Sequence, residues 1–187
     1  MRQWRALKRD KNHVSNMANR RLEAACTRVK TLTPTEAAYL AGLLDSDGGV
    51  YATFKRNYRG LRKRYSTVSI YVVNTDIRMI QWVIHKTGVG SLVAQRPSAT
   101  RYGIRPIYRW DVGSQLAAVI LRQIKEYLVI KREQADLALE LAALKLQGSK
   151  HFMASPERHP EIVIAIQTLN RKTGKTGSRV LSAEDTP

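Results

Sequence analysis

Leu40-Ala41-Gly42-Leu43-Leu44-Asp45-Ser46-Asp47-Gly48 decides the reading of this chain, because it combines a small-residue strip, two carboxylates and a helix stop. Just upstream, Thr33-Pro34-Thr35-Glu36 is a capping box with Pro at the first helical position, so a helix starts there and continues to about Asp45. Ala38, Gly42 and Ser46 are spaced four apart and share one face of that helix, a surface that a second helix can approach closely. Gly48 and Gly49 then end the helix.

Outward from this segment the pattern becomes that of strands. Val50, Ala52 and Phe54 alternate with Tyr51, Thr53, Lys55 and Asn57, and Val68, Ile70 and Val72 alternate with Thr67, Ser69 and Tyr71. Joined by the basic segment Tyr58 to Arg64, the two runs predict an antiparallel hairpin. Ile77, Ile80, Val83 and Ile84 recur at helical spacing until Gly88. A second hairpin follows, with Leu92 and Ala94 against Ser91, Val93 and Gln95, then Tyr108, Trp110 and Val112 against Ile107, Arg109 and Asp111. Ser114 is expected to cap a helix that runs to about Tyr127; further helices are expected over about Ile130–Leu146 and Pro160–Leu169. The order αββαββα, with helices after it, predicts an α+β fold: an antiparallel sheet saddle with helices on one face.

The chain has 187 residues, enough for one domain with its own core, expected over residues 31 to 170. Lys and Arg number 32 against 15 acidic residues, a formal charge of +17 that calls for a polyanionic partner. Nucleic acid fits better than a membrane surface, since neither a long apolar run nor a basic amphipathic helix stands out. Residues 1 to 30, with nine basic and two acidic side chains, are expected to be a poorly ordered basic extension. A phosphate-touching arm, an organelle transit peptide and a solvated helix all remain open for it. Residues 171 to 187 are expected to be a flexible tail. Cys26 is the sole cysteine, which excludes an internal disulfide and a thiolate zinc cluster, and the four histidines lack metal spacing. An intracellular compartment fits, either a bacterial or phage cytoplasm or an organelle.

Two copies of the motif helix that cross about a two-fold axis through Ala38, Ala41, Gly42, Asp45 and Ser46 would bring both Asp47 carboxylates together. Such carboxylates repel one another, and a divalent cation relieves the repulsion. An EF-hand reading of Asp45-Ser46-Asp47 fails, because Val50 and Arg56 stand where that loop needs Gly and Glu. Asp45 is expected to be a cap or interface residue rather than a metal ligand.

One sheet face should be polar. Tyr51, Thr53, Lys55 and Asn57 on the first strand, Tyr65, Thr67, Ser69 and Tyr71 on the second, and Ser91, Val93, Gln95, Arg105, Ile107 and Arg109 on the second hairpin are expected to meet base edges of duplex DNA. The connecting segment supplies Arg59, Arg62, Lys63 and Arg64 for phosphates. Trp82, Tyr108, Trp110 and Tyr127 fall mostly at core positions, which argues against single-strand stacking.

The nonapeptide, its place at a helix end feeding a strand, the αββαββα order, Gly88-Val89-Gly90 and Lys131-Arg132-Glu133-Gln134-Ala135 together resemble the LAGLIDADG homing endonucleases over about Pro34 to Leu146. A single nonapeptide resembles the members that work as homodimers. The resemblance implies an intron-encoded, site-specific DNA endonuclease that uses Mg2+ or Mn2+, with Asp47 and the Ser46 carbonyl as metal ligands. It implies that Asn74 positions the attacking water, and that Arg78 and Lys131 orient solvent and stabilise phosphate charge. Asn74 stands where the family often has Gln, one methylene longer. On the same fold, a non-cleaving binder, either an intron RNA maturase or a transcriptional regulator, is the alternative; a general RNA-binding protein would leave the nonapeptide without a purpose.

Overall fold

Residues 19–56, 64–95, 106–146 and 158–172 are described by the structure, a computed structural model. Residues 19–28 form helix α1. Its Ala25, and Val29 and Leu32 after it, are buried in the core. The Lys30 N–H donates to the Thr87 carbonyl at 2.9 Å, and the Gln123 amide binds the Leu32 N–H and the Lys30 carbonyl. The boundary expected at residue 30 therefore cuts through packed structure, because a few apolar side chains anchor a stretch whose charge alone suggests a leader. Residues 1–18 lie outside the described residues.

Helix α2 spans Pro34–Asp47 and carries the expected capping box. The Glu36 carboxylate accepts from the Thr33 N–H and pairs with Lys86 at 2.6 Å. The Lys86 ammonium, helped by the Thr33 N–H, lowers the Glu36 carboxyl to about 2. Ala37, Leu40, Ala41 and Leu44, at helical spacing, form the buried face.

Strand β1 (Gly48–Arg56) pairs antiparallel with β2 (Arg64–Asn74), Gly48 opposite Val72 and Arg56 opposite Arg64. Helix α3 (Ile77–Thr87) leads to β3 (Ser91–Gln95), which pairs with β4 (Ile107–Gly113). β4 also pairs with β2, giving one four-stranded sheet in the order β1-β2-β4-β3. Val50, Ala52, Val68, Ile70, Val72, Trp110 and Val112 line its buried face. Gly90 has φ of 102°, and an added Cβ would lie 2.0 Å from the Trp110 indole nitrogen. That nitrogen donates to the Val89 carbonyl at 2.8 Å, so Gly-Val-Gly is the seat of the central tryptophan.

Helix α4 spans Ser114–Ile124 and is followed by a 3-10 turn, Lys125–Tyr127. Ser114 does not cap it: Gly113 occupies the cap position without a side-chain bond, and Ser114 itself has φ of 60°. Helix α5 (Arg132–Leu146) starts later than periodicity predicts, and α6 (Arg158–Lys172) is longer at both ends. α6 covers the sheet edge at β1, where Gln167 and Asn170 donate to the Ala52 and Val50 carbonyls at 3.2 and 2.9 Å. His159, buried at the start of α6, lies 3.1 Å from the Ser66 hydroxyl; burial, and the charge of Lys145, lower its pKa.

Candidate functional site

The nonapeptide ends α2 directly at the first residue of β1, so Asp47 is carried on the last helical position. Gly48 permits this junction: a Cβ there would sit 2.4 Å from the Tyr71 carbonyl and 2.8 Å from the Leu44 Cα. Asp47 and Ser46 are exposed. Because Gly48 faces Val72, the C-terminal end of β2, with Asn74, arrives at the same end of the sheet as Asp47. Arg78, the second residue of α3, lies just beyond it.

Asp45 points elsewhere. Its carboxylate accepts from the backbone N–H groups of Val129 at 2.7 Å, Ile130 at 3.2 Å and Lys131 at 2.9 Å, the turn that leads into α5. The Lys131 ammonium in return donates to the Asp45 carbonyl, and Lys131 is 2% exposed. An anion at a helix entrance and a cation at a helix exit are each favourable, so this pair ties α2 to α5 twice. Asp45→Ala should lower stability by about 1–2 kcal/mol, as loss of a side-chain cap does. A urea unfolding midpoint unchanged from the parent protein would contradict that role.

The exposed face of α2 carries Ala38, Gly42 and Ser46. Among the described residues, a Cβ added at Gly42 meets nothing beyond its own helix within 4 Å. Ala41, expected at the interface with them, is instead fully buried within the chain, because it shares the face of Ala37 and Leu44. Beside the end of the helix, Val129 and Ile130 are 86% and 58% exposed, apolar side chains that the bonds to Asp45 hold outward from the domain.

Asn74 and Arg78 are engaged locally. The Asn74 side-chain Oδ1 accepts from the Asp76 N–H at 2.8 Å, and Asp76 caps α3 through the Arg78 N–H. The Arg78 side chain, 85% exposed, pairs with Asp76 at 2.6 Å. Its guanidinium holds the Asp76 carboxyl down to about 2, and the Arg78 pKa is raised in turn. Asp76 went unnoticed in the sequence, although a carboxylate immediately before an apolar helical run is a cap signal.

The residues expected on the polar face share one side of the sheet, but on β2 only Tyr71 among those with described burial is accessible. Tyr51, Thr53, Tyr71 and Arg109 are half-buried there, and Ser91, Val93 and Ile107 are exposed. Thr67 and Ser69 are 7% and 6% exposed, too deep for a wet surface. Both are short side chains on a central strand, and Tyr51, opposite Ser69 on β1, reaches over β2 to Asp111 on β4. Asp111 alternates in step with Arg109, yet it was not among the residues expected to meet DNA. Lys55, Tyr65 and Gln95 hold the predicted strand positions, whereas Arg64, expected in the connecting segment, is the first residue of β2 and pairs with Arg56. Asn57, Arg59, Arg62, Lys63 and Arg105 lie outside the described residues. Among the described residues no group of three or more His, Cys, Asp or Glu side chains is arranged to hold a metal within one chain.

No family model matches the chain. It is 29% identical to the DNA endonuclease I-CreI of Chlamydomonas reinhardtii over 154 residues, which cover 78% of this chain and 85% of that protein. The fold is similar to that of the archaeal intron-encoded homing endonuclease I-Vdi141I complexed with DNA, with a TM-score of 0.63 at 12% identity, over 79% of this chain and 89% of that one. It is similar as well to the homing endonuclease I-CvuI in complex with its target in the presence of 2 mM Ca, with a TM-score of 0.56 at 23% identity, over 81% and 89% of the two chains.

Proposed function

We infer that this chain is a LAGLIDADG homing endonuclease, a site-specific enzyme that hydrolyses duplex DNA with divalent metal and acts as a homodimer. The observation that carries the reading is Asp47: an exposed carboxylate at the tip of a helix whose neighbouring face is lined by Ala38 and Gly42. Glycine inside a helix costs about 1 kcal/mol against alanine. Nothing within the described chain fills the space above Gly42, so what repays that cost is a partner, and a second copy of α2 fits the strip. The exposed Val129 and Ile130 would extend the same contact.

The donor set suits a hard cation. Asp47 offers carboxylate oxygens and the Ser46 carbonyl another, while the Asp45 carboxylate is already occupied by the turn before α5. One chain supplies too few ligands; Asp47 of a second copy and phosphate oxygens would complete the shell. Bound there, Mg2+ or Mn2+ would polarise the scissile phosphate and lower the pKa of water. Lys131 acts as a positioning residue, its ammonium holding the last turn of α2 in place through the Asp45 carbonyl. Asn74 orients water at the end of β2, and Arg78, steered by Asp76, meets negative charge that builds on the phosphate. The polar sheet face, with its basic surroundings, lies along the groove.

Selection of cut sequences from a randomised duplex library with Mg2+ tests this reading. Double-strand cutting at one long, nearly two-fold-symmetric site is expected. A chain that binds duplex DNA yet cuts no member of the library in Mg2+ or Mn2+ would overturn it.

A further inference from the structure

Near the middle of the exposed sheet face sits a cluster that none of the catalytic roles uses. Asp111 on β4 accepts from the Arg109 Nε at 2.9 Å, and from the Arg109 Nη2 on the same oxygen. The Tyr51 hydroxyl, reaching across from β1, lies 3.3 and 3.2 Å from the two Asp111 oxygens. The Arg109 guanidinium carbon is 4.1 Å from the centre of the Tyr71 ring and 5.8 Å from that of Tyr51. Arg109 is thus held on one flank by a carboxylate and on one face by an aromatic ring, and the carboxylate is itself held by a phenol.

We propose that Asp111 is a specificity-determining residue, which fixes Arg109 to read a guanine in each half of the DNA site. The proposal rests on the reading of this sheet face as the DNA-binding surface. Three features favour a guanine over a phosphate. First, Asp111 occupies Nε and Nη2 from the side, which leaves the end-on pair of Nη N–H groups, the fork that matches guanine O6 and N7. Second, the carboxylate cancels the guanidinium charge, so the pair gains little from phosphate and suits an uncharged base edge. Third, Val73 and Val93 are opposite Arg109 on the flanking strands, so apolar side chains stand beside it on both sides. The restraint also lowers the rotamer freedom that Arg109 loses on binding.

Binding selection from a randomised duplex library, carried out without metal on the full chain, tests this separately from cleavage. The parent protein should prefer guanine at one position of each half-site by on the order of tenfold or more. Asp111→Asn should weaken that preference by roughly fivefold and leave the other positions unchanged, because an ion pair is exchanged for a weaker bond to an uncharged amide oxygen. Its affinity for non-specific duplex should rise, since a negative charge is removed. Arg109→Ala should abolish preference at that same position, and it carries the test should Asp111→Asn fail to fold. A profile without an Arg109-dependent guanine, or with the same guanine preference in Asp111→Asn, would overturn the proposal. Absence of cutting with this binding profile intact would count against the nuclease reading alone.

Discussion

Asp47→Asn is expected to reduce cleavage of duplex DNA by roughly a thousandfold or more, with affinity for the uncut site changed by no more than about threefold. The size follows from the chemistry assigned to the carboxylate. Metal-assisted polarisation of phosphate contributes several kcal/mol to transition-state stabilisation, and each 1.36 kcal/mol is tenfold in rate. Asparagine keeps the shape and one oxygen of the side chain but loses the charge that holds a hard cation. Binding draws on the charge of the whole chain, +17, so removal of one acidic group hardly alters it. The side chain is exposed at the last position of α2, and folding should be unaffected. Single-turnover cleavage with Mg2+, beside a binding titration in Ca2+, measures both quantities. A variant that still cuts at a tenth of the parent rate would rule out Asp47 as the metal carboxylate.

Gly42→Leu is expected to convert the dimer to a monomer and to abolish double-strand cutting. Among the described residues nothing outside the local helix backbone lies within 4 Å of a Cβ placed there, so the side chain projects into open space and the isolated fold gains about 1 kcal/mol of helix propensity. In the proposed dimer the same side chain would stand between two helices expected to pack through Ala38, Gly42 and Ser46. Gly42→Ala should weaken association by a smaller amount. Sedimentation equilibrium together with thermal melting separates the two effects: loss of dimer in a well-folded chain is the expected result. A dimer of unchanged affinity would remove α2 from the interface.

Much of the fold was legible because it depends on short-range patterns. Thr33 and Glu36 sit within hydrogen-bond reach of one another whatever the rest of the chain does, and the structure contains that box. Alternation of Val68, Ile70 and Val72 sorted β2 into a buried and an outer face. The boundaries that moved did so for tertiary reasons. α5 begins at Arg132, after a turn whose N–H groups are held by Asp45, and α1 belongs to the domain because Ala25 and Val29 find core to pack against. The site divided in the same way. The nonapeptide was enough to expect Asp47, Ala38, Gly42 and Ser46 to be exposed, whereas the burial of Ala41 depended on which way the helix rolled.

Period and capping chemistry, read along the chain, are enough to establish the order of helices and strands, the exposed carboxylate at a helix tip and the polar outer surface of the sheet. These are properties of neighbours within about one turn or one strand repeat. Packing alone determined that Asp45 serves the entrance of α5, 86 positions away at Lys131, and that Tyr51 covers Ser69 on its way to Asp111, 60 positions distant. A polar side chain chooses its partner from whatever the fold brings within hydrogen-bond reach, and no periodicity in the sequence encodes that choice.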